Sequence, residues 1–168
     1  MASISGKGYY ASFDRMAHIN KENSVTRILV AVDGSSHTAK VAKAVIQHVS
    51  AYKAPPELHL AYVHLPIPTM GGLIKPVGHE ELQRYYREEG EDALRGAKKL
   101  FDRAELACTV HIMVGPIAES LTSEAKMLKC DLIIMGTHGM GAVSGMLLGS
   151  VATKTVHLAR CPVLLVRE

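Results

Sequence analysis

Asp131-Leu-Ile-Ile-Met-Gly-Thr-His-Gly-Met-Gly-Ala-Val-Ser-Gly-Met-Leu-Leu-Gly-Ser-Val-Ala-Thr-Lys154 is the stretch around which the rest of this 168-residue chain is organised. A short apolar strand signal, Leu132 to Met135, runs straight into a loop carrying Gly136, Gly139, Gly141 and Gly145, and Gly149-Ser150 then opens a helical segment. Glycines let a backbone turn with positive φ and come close to a ligand, while the free N–H groups and positive dipole end of the next helix favour an anion. The layout reads as a phosphate cradle, and it needs a sheet to hold it.

Outward from the cradle, the chain supplies that sheet. Arg27 to Val32 is a continuous aliphatic run of the kind that is buried on both faces of a parallel sheet. It ends in Asp33-Gly34-Ser35-Ser36, a sharp turn and helix start with Ser35 or Ser36 as the expected N-cap. The helix carries Val41, Ala44, Val45, His48, Val49 and Tyr52 at spacings of three and four, and Ala54-Pro55-Pro56 stops it. Leu58 to Leu65 is a second strand. Pro66 to Gly78, rich in proline and glycine, is the longest irregular stretch, of a length that is often functional in a compact fold.

A long helix pattern follows from Glu80 to Glu105, with Leu82, Tyr86, Ala93, Leu94, Ala97, Leu100, Phe101 and Ala104 along one side. Cys108 to Val114 is a third strand. Gly115-Pro116 starts a helix whose Ile117, Leu121, Ala125 and Leu128 face the sheet. After the fourth strand and the glycine loop, a helix from Gly149 to Ala159 is broken at Cys161-Pro162, and Val163 to Val166 is a fifth strand. Strands alternating with helices imply a mainly parallel sheet covered on both faces, with ligands collecting at the carboxyl ends where strand order reverses. If strands one and four are neighbours across that reversal, Asp33 and the glycine loop share one crevice.

Bulk properties narrow the classes. The length suits one domain with a real core. Net charge is only +3, with Lys and Arg interleaved among Asp and Glu, so nucleic acid is not implied. The nine histidines show no metal-ligand spacing, and Cys108, Cys130 and Cys161 are isolated, which fits reduced thiols in a cytoplasmic protein. No apolar run approaches a membrane span, and Met1 to Asn23 lacks a signal-peptide core. Residues 1–24 have no sustained period and read as a flexible extension to a domain over residues 25–168.

Known phosphate-binding signatures fail in informative ways. No lysine sits where a Walker A loop needs one, and Gly139-x-Gly141 continues to Ser144 where a dinucleotide fingerprint wants glycine. Val114-Gly115 and Val166-Arg167 replace the Asp and Lys that a response regulator would place after its third and fifth strands. What does match is Gly136-x-x-Gly139, nine residues, then Gly149-Ser150. With Ile-Leu-Val-Ala-Val-Asp-Gly-Ser at 28–35 and Cys-Pro-Val-Leu-Leu-Val-Arg at 161–167, the chain resembles the ATP-binding branch of the universal stress protein family.

That resemblance, which covers residues 25–168, implies a three-layer open sandwich with a five-stranded parallel sheet in the order 3-2-1-4-5. Such a fold is Rossmann-like and akin to the adenine nucleotide alpha hydrolases. It implies ATP, or ADP or AMP, as ligand, with Mg held through the phosphates near Asp33 and no metal ligated by protein alone. By position, Ala31, Val32 and Asp33 would border the ribose and metal-phosphate region, and the backbone of Val63 would meet the adenine edge. Met135, Gly136, His138 and Gly139 would line the ribose and phosphates, and Gly149, Ser150, Val151 and Ala152 would hold phosphate at the helix start. A homodimer through Val163 to Val166 is also implied, which would cover an apolar edge strand.

Ala31 departs from a common proline in the family, and Met140 and Gly145 stand where basic residues are common. The missing loop cations favour holding a nucleotide over turning it over, so no catalytic residue is assigned. A slow ATPase or self-phosphorylating enzyme, with Ser150 or Thr153 as acceptor, is the alternative, and a fold kept only for interaction is a third.

Overall fold

Three runs of buried aliphatic residues form the centre of the molecule in the computed structural model, which describes residues 26–67, 78–139 and 148–167. They are β1 (Arg27–Ala31), β2 (Glu57–His64) and β4 (Leu132–Gly136). Ile28, Leu29, Val30, Leu60, Ala61, Ile133 and Ile134 are all wholly buried, and each large aliphatic among them contributes about 1.5–3 kcal/mol of transfer free energy. β3 (Cys108–Val114) and β5 (Val163–Val166) complete an all-parallel sheet in the order β3-β2-β1-β4-β5.

Alternate side chains of the central strands feed two separate cores. Ile28, Val30, Leu58, Leu60, Leu132 and Ile134 face α1 (Thr38–Val49) and α2 (His79–Arg103), which supply Val41, Val45, Leu94 and Phe101. Leu29, Ala31, Ala61, Val63, Ile133 and Met135 face α3 (Ile117–Met127) and α4 (Ser150–Leu158), which supply Leu121, Ala125 and Ala152. The result is the three-layer open sandwich expected from the alternation of strands and helices.

The first helix begins later than the serine pair suggests. Its N-cap is His37, and Ser35 and Ser36 lie in the turn before it. The short polar side chains there close local turns in place of capping the helix: Asp33 Oδ1 accepts from the Ser35 N–H at 3.0 Å, and Ser35 Oγ accepts from the His37 N–H at 3.2 Å. The later start adds Thr38 and Ala42 to the buried face with Val41, Val45 and Val49, while Ala44 and His48 are half-buried. β2 stops at His64, one residue before its expected end, and Leu65 is exposed. The extension at 1–24 lies outside the described residues, as does most of the loop expected at 66–78.

Candidate functional site

Strand order reverses between β1 and β4, whose residues Ala31 and Met135 are register partners at the carboxyl ends. Chains leave such a pair over opposite faces of the sheet, and the divergence opens a crevice. Asp33 stands just beyond β1. A Cβ placed on Gly139 would lie 2.6 Å from Asp33 Oδ2, so the end of β1 and the start of the glycine loop do pack together in one crevice. Gly34 sets the exit from β1. Its φ of +78° is left-handed, and a Cβ there would lie 2.9 Å from both Cα and Cβ of Ala93 on α2.

Val63 enters the crevice from β2. In a parallel ladder the N–H and C=O of one residue point to the same neighbour, and the neighbour alternates along the strand. The His64 carbonyl accepts from Gly115 on the β3 side, and the Ala61 carbonyl accepts from Val32 on the β1 side. Val63 therefore points its backbone groups toward β1. That ladder ends at Val32, and Val63 N–H and C=O have no backbone partner among the described residues, although the residue is only 7% exposed. Backbone groups this deeply placed ordinarily have a hydrogen-bond partner.

The cradle is closed by two backbone bonds. Thr137 N–H donates to the Val166 carbonyl at 3.0 Å, and the Thr137 carbonyl accepts from Gly149 N–H at 2.8 Å. The Gly149 amide is thus used inside the protein, joining the end of β4 to the start of α4. Thr153 makes the first intrahelical bond of α4, its N–H donating to the Gly149 carbonyl at 2.9 Å. The amides of Ser150, Val151 and Ala152 come before it, at the positive end of the helix dipole. Thr153 Oγ1 also donates to the Gly149 carbonyl, whereas Ser150 is exposed.

His138 follows the same junction, with Nδ1 3.2 Å from Thr137 Oγ1. Met140, Gly141, Ser144 and Gly145 lie outside the described residues. A shallow cleft beside the junction is lined by His37, Lys40, Thr137, His138, Val166 and Arg167. Lys40 and Arg167 are cations near the glycine loop that sequence reasoning missed. One comes from α1 and the other from the end of β5, so only the strand order brings them to β4.

His64 packs on Tyr86 and Tyr85, with ring centroids 4.8 and 5.6 Å away, and its Nδ1 lies 2.6 Å from the Leu65 carbonyl, as a rim residue would. Burial, reinforced by Glu89, Tyr85 and Asp33, raises the Tyr62 phenol above its ordinary range, so it stays neutral near Asp33. The cysteines are free thiols. Burial pushes Cys130 up to about 12, and Cys108 and Cys161 are also raised, chiefly by burial, which keeps them poor nucleophiles. Among the described residues no group of three or more His, Cys, Asp or Glu is placed to hold a metal ion, and no helix is long and apolar enough to cross a membrane.

Comparison with known proteins identifies the family and the fold. A model described as the universal stress protein family matches residues 24–167. The universal stress protein MJ0531 of Methanocaldococcus jannaschii is 32% identical over 149 residues, which span 89% of this chain and 86% of the relative. Among solved structures, the protein MJ0577, described in a structure-based assignment of biochemical function, superposes with a TM-score of 0.69 at 25% identity, covering 85% of this chain and 96% of that one. An Arabidopsis thaliana protein of the same family, solved with AMP bound, superposes with a TM-score of 0.58 over 85% of this chain and 92% of its own; at 17% identity that likeness is one of fold.

Proposed function

The chain belongs to the universal stress protein family, and from that membership we propose that it binds an adenine nucleotide at the carboxyl ends of β1, β2 and β4 and acts as a nucleotide-dependent regulatory module. The observation that carries this reading is Val63: a buried residue whose backbone N–H and C=O both point past the end of β1 and meet no backbone partner among the described residues. A donor and an acceptor side by side suit the edge of an adenine, which presents an acceptor and a donor in the same spacing. The AMP held by the Arabidopsis fold neighbour supports the same ligand class.

The other roles follow from position. Ala31, Val32 and Met135 form the floor between β1 and β4, and Gly136, His138 and Gly139 allow the loop to approach the ribose. Amides of Ser150, Val151 and Ala152 receive the phosphates, with the Gly149 amide serving the junction instead. Asp33 sits where a Mg ion carried in on ATP or ADP would meet a carboxylate. Lys40 and Arg167 replace the cations that the loop lacks in sequence. The free, isolated cysteines suit a reducing, cytoplasmic setting, and pairing of β5 with its copy makes the working form a homodimer.

The test is to denature freshly purified protein and identify released small molecules by mass. Retained AMP, ADP or ATP is the expected result. Protein that emerges empty and shows no thermal shift with millimolar AMP, ADP or Mg-ATP would remove the proposal. ATP that is retained and converted to ADP within minutes would favour the ATPase instead.

A further inference from the structure

Far from the crevice, at the amino-terminal end of the sheet, two histidines meet under α3. His59 of β2 and His111 of β3 place Nδ1 of the first and Nε2 of the second 3.0 Å apart. The other nitrogen of each ring faces a carboxylate. His111 Nδ1 is 2.9 Å from Glu124 Oε1 on α3, and His59 Nε2 is 3.3 Å from Glu57 Oε1. His59, His111 and Glu124 are 4%, 17% and 13% exposed, whereas Glu57 is 43% exposed and also takes a 2.9 Å bond from Arg27 Nε of β1. Asp131, at the foot of β4, accepts from the Arg27 N–H.

Counting protons decides how the pair is wired. Three contacts run in series, and each needs one N–H, but two neutral imidazoles carry only two between them. The contact to forgo is the one to Glu57: it is the longest, it makes no hydrogen bond at His59 Nε2, and its carboxylate has Arg27 and water. The neutral pair therefore carries both protons on Nδ1, with His59 Nδ1–H donating to His111 Nε2 and His111 Nδ1–H donating to Glu124. One vacancy for a proton remains, at His59 Nε2 beside Glu57. A second added proton would have to go onto His111 Nε2, where two N–H groups would face each other across 3.0 Å.

We propose that the His59–His111 pair is an acid-sensing joint that takes up one proton and no second, and that placing this charge on the buried His59 ring destabilises the fold. The proton lands on a nearly inaccessible ring that ties two strands and a helix together. Burial, then the neighbouring His111, lowers the His59 pKa from its ordinary value near 6.5, with Arg27 acting the same way and Glu57 and Glu124 opposing. The unfolded chain thus binds this proton more readily than the folded one. Stability is complete above about pH 6.5 and declines as the pH falls from there through the lower folded value.

The experiment compares the full chain with His59→Gln, a non-titrating side chain of similar reach, by urea unfolding between pH 7.5 and 5.0. The wild-type folding constant is expected to fall, relative to the variant, by up to tenfold per pH unit below about 6.5, the slope of one proton. Parallel pH dependences would overturn the proposal. Nitrogen-15 spectra of the wild-type histidines keep the test independent of how the variant folds. Both rings are expected as Nδ1–H tautomers at pH 7.5, with His59 alone of the pair taking up a proton below 6.5. An Nε2–H tautomer on either ring, or charging of both, would contradict it.

Discussion

Ser150 offers a clean probe of the cradle because its surroundings tolerate proline. It is the first residue of α4, where an N–H has no intrahelical partner, and Gly149 before it is extended at φ −70° and ψ 156°, as a residue preceding proline prefers. Ser150→Pro is therefore expected to keep the melting temperature within a few degrees while deleting one amide and one hydroxyl from the phosphates. Loss of bonds to a charged group, about 1.5–3 kcal/mol, corresponds to a tenfold to hundredfold weaker nucleotide affinity by calorimetry; unchanged affinity would show the cradle to be misplaced. A bulky residue at Gly149 is a poorer probe, since its Cβ would stand 3.1 Å from the Thr137 carbonyl and disturb the β4–α4 junction itself. The pairing of Asp33 with the glycine loop was readable from sequence because both follow strand signals. The internal use of the Gly149 amide was not, because nothing in Gly149-Ser150 reveals that the Thr137 carbonyl lies opposite.

At the scale of elements, β1 and β4 were legible because strands buried on both faces show as unbroken aliphatic runs. The start of α1 was not, since Asp33 and Ser35 close turns with the same side chains that cap helices. The histidine joint was invisible for a different reason: His59 and His111 are 52 residues apart, and only the parallel register of β2 and β3 brings them together. Close approach of α2 to β3 gives a prediction of opposing terms. Gly90→Ala gains about 1 kcal/mol of helix propensity, but its Cβ would lie 2.6 Å from Ile112 Cγ2 and 2.8 Å from Cδ1 and Cγ1. Overpacking of this kind costs about 1–3 kcal/mol. Because Ile112 is held between helix and sheet, the clash should win, with a lower urea midpoint; a raised midpoint would mean that α2 is free to shift outward.

The whole molecule ends its sheet on β5, which pairs with β4 along one side and is half-buried along its length. Beside it, Val156 and Leu158 of α4 are 46% and 44% exposed. An apolar edge with unpaired backbone groups is a template for another strand, and sedimentation at micromolar concentration is expected to give twice the chain mass of 18.2 kDa. A single species of one chain mass would contradict a dimer built on this edge.

The crevice is tested most directly by a titration of the nitrogen-15-labelled protein with AMP and then with Mg-ATP, followed amide by amide. The expected result is saturable shifts concentrated at Asp33, Val63, Gly139 and residues 150–152, with the His59 and His111 amides at the far end of the sheet unmoved. Shifts that never saturate, or that centre away from the carboxyl ends of β1, β2 and β4, would contradict an adenine nucleotide site there.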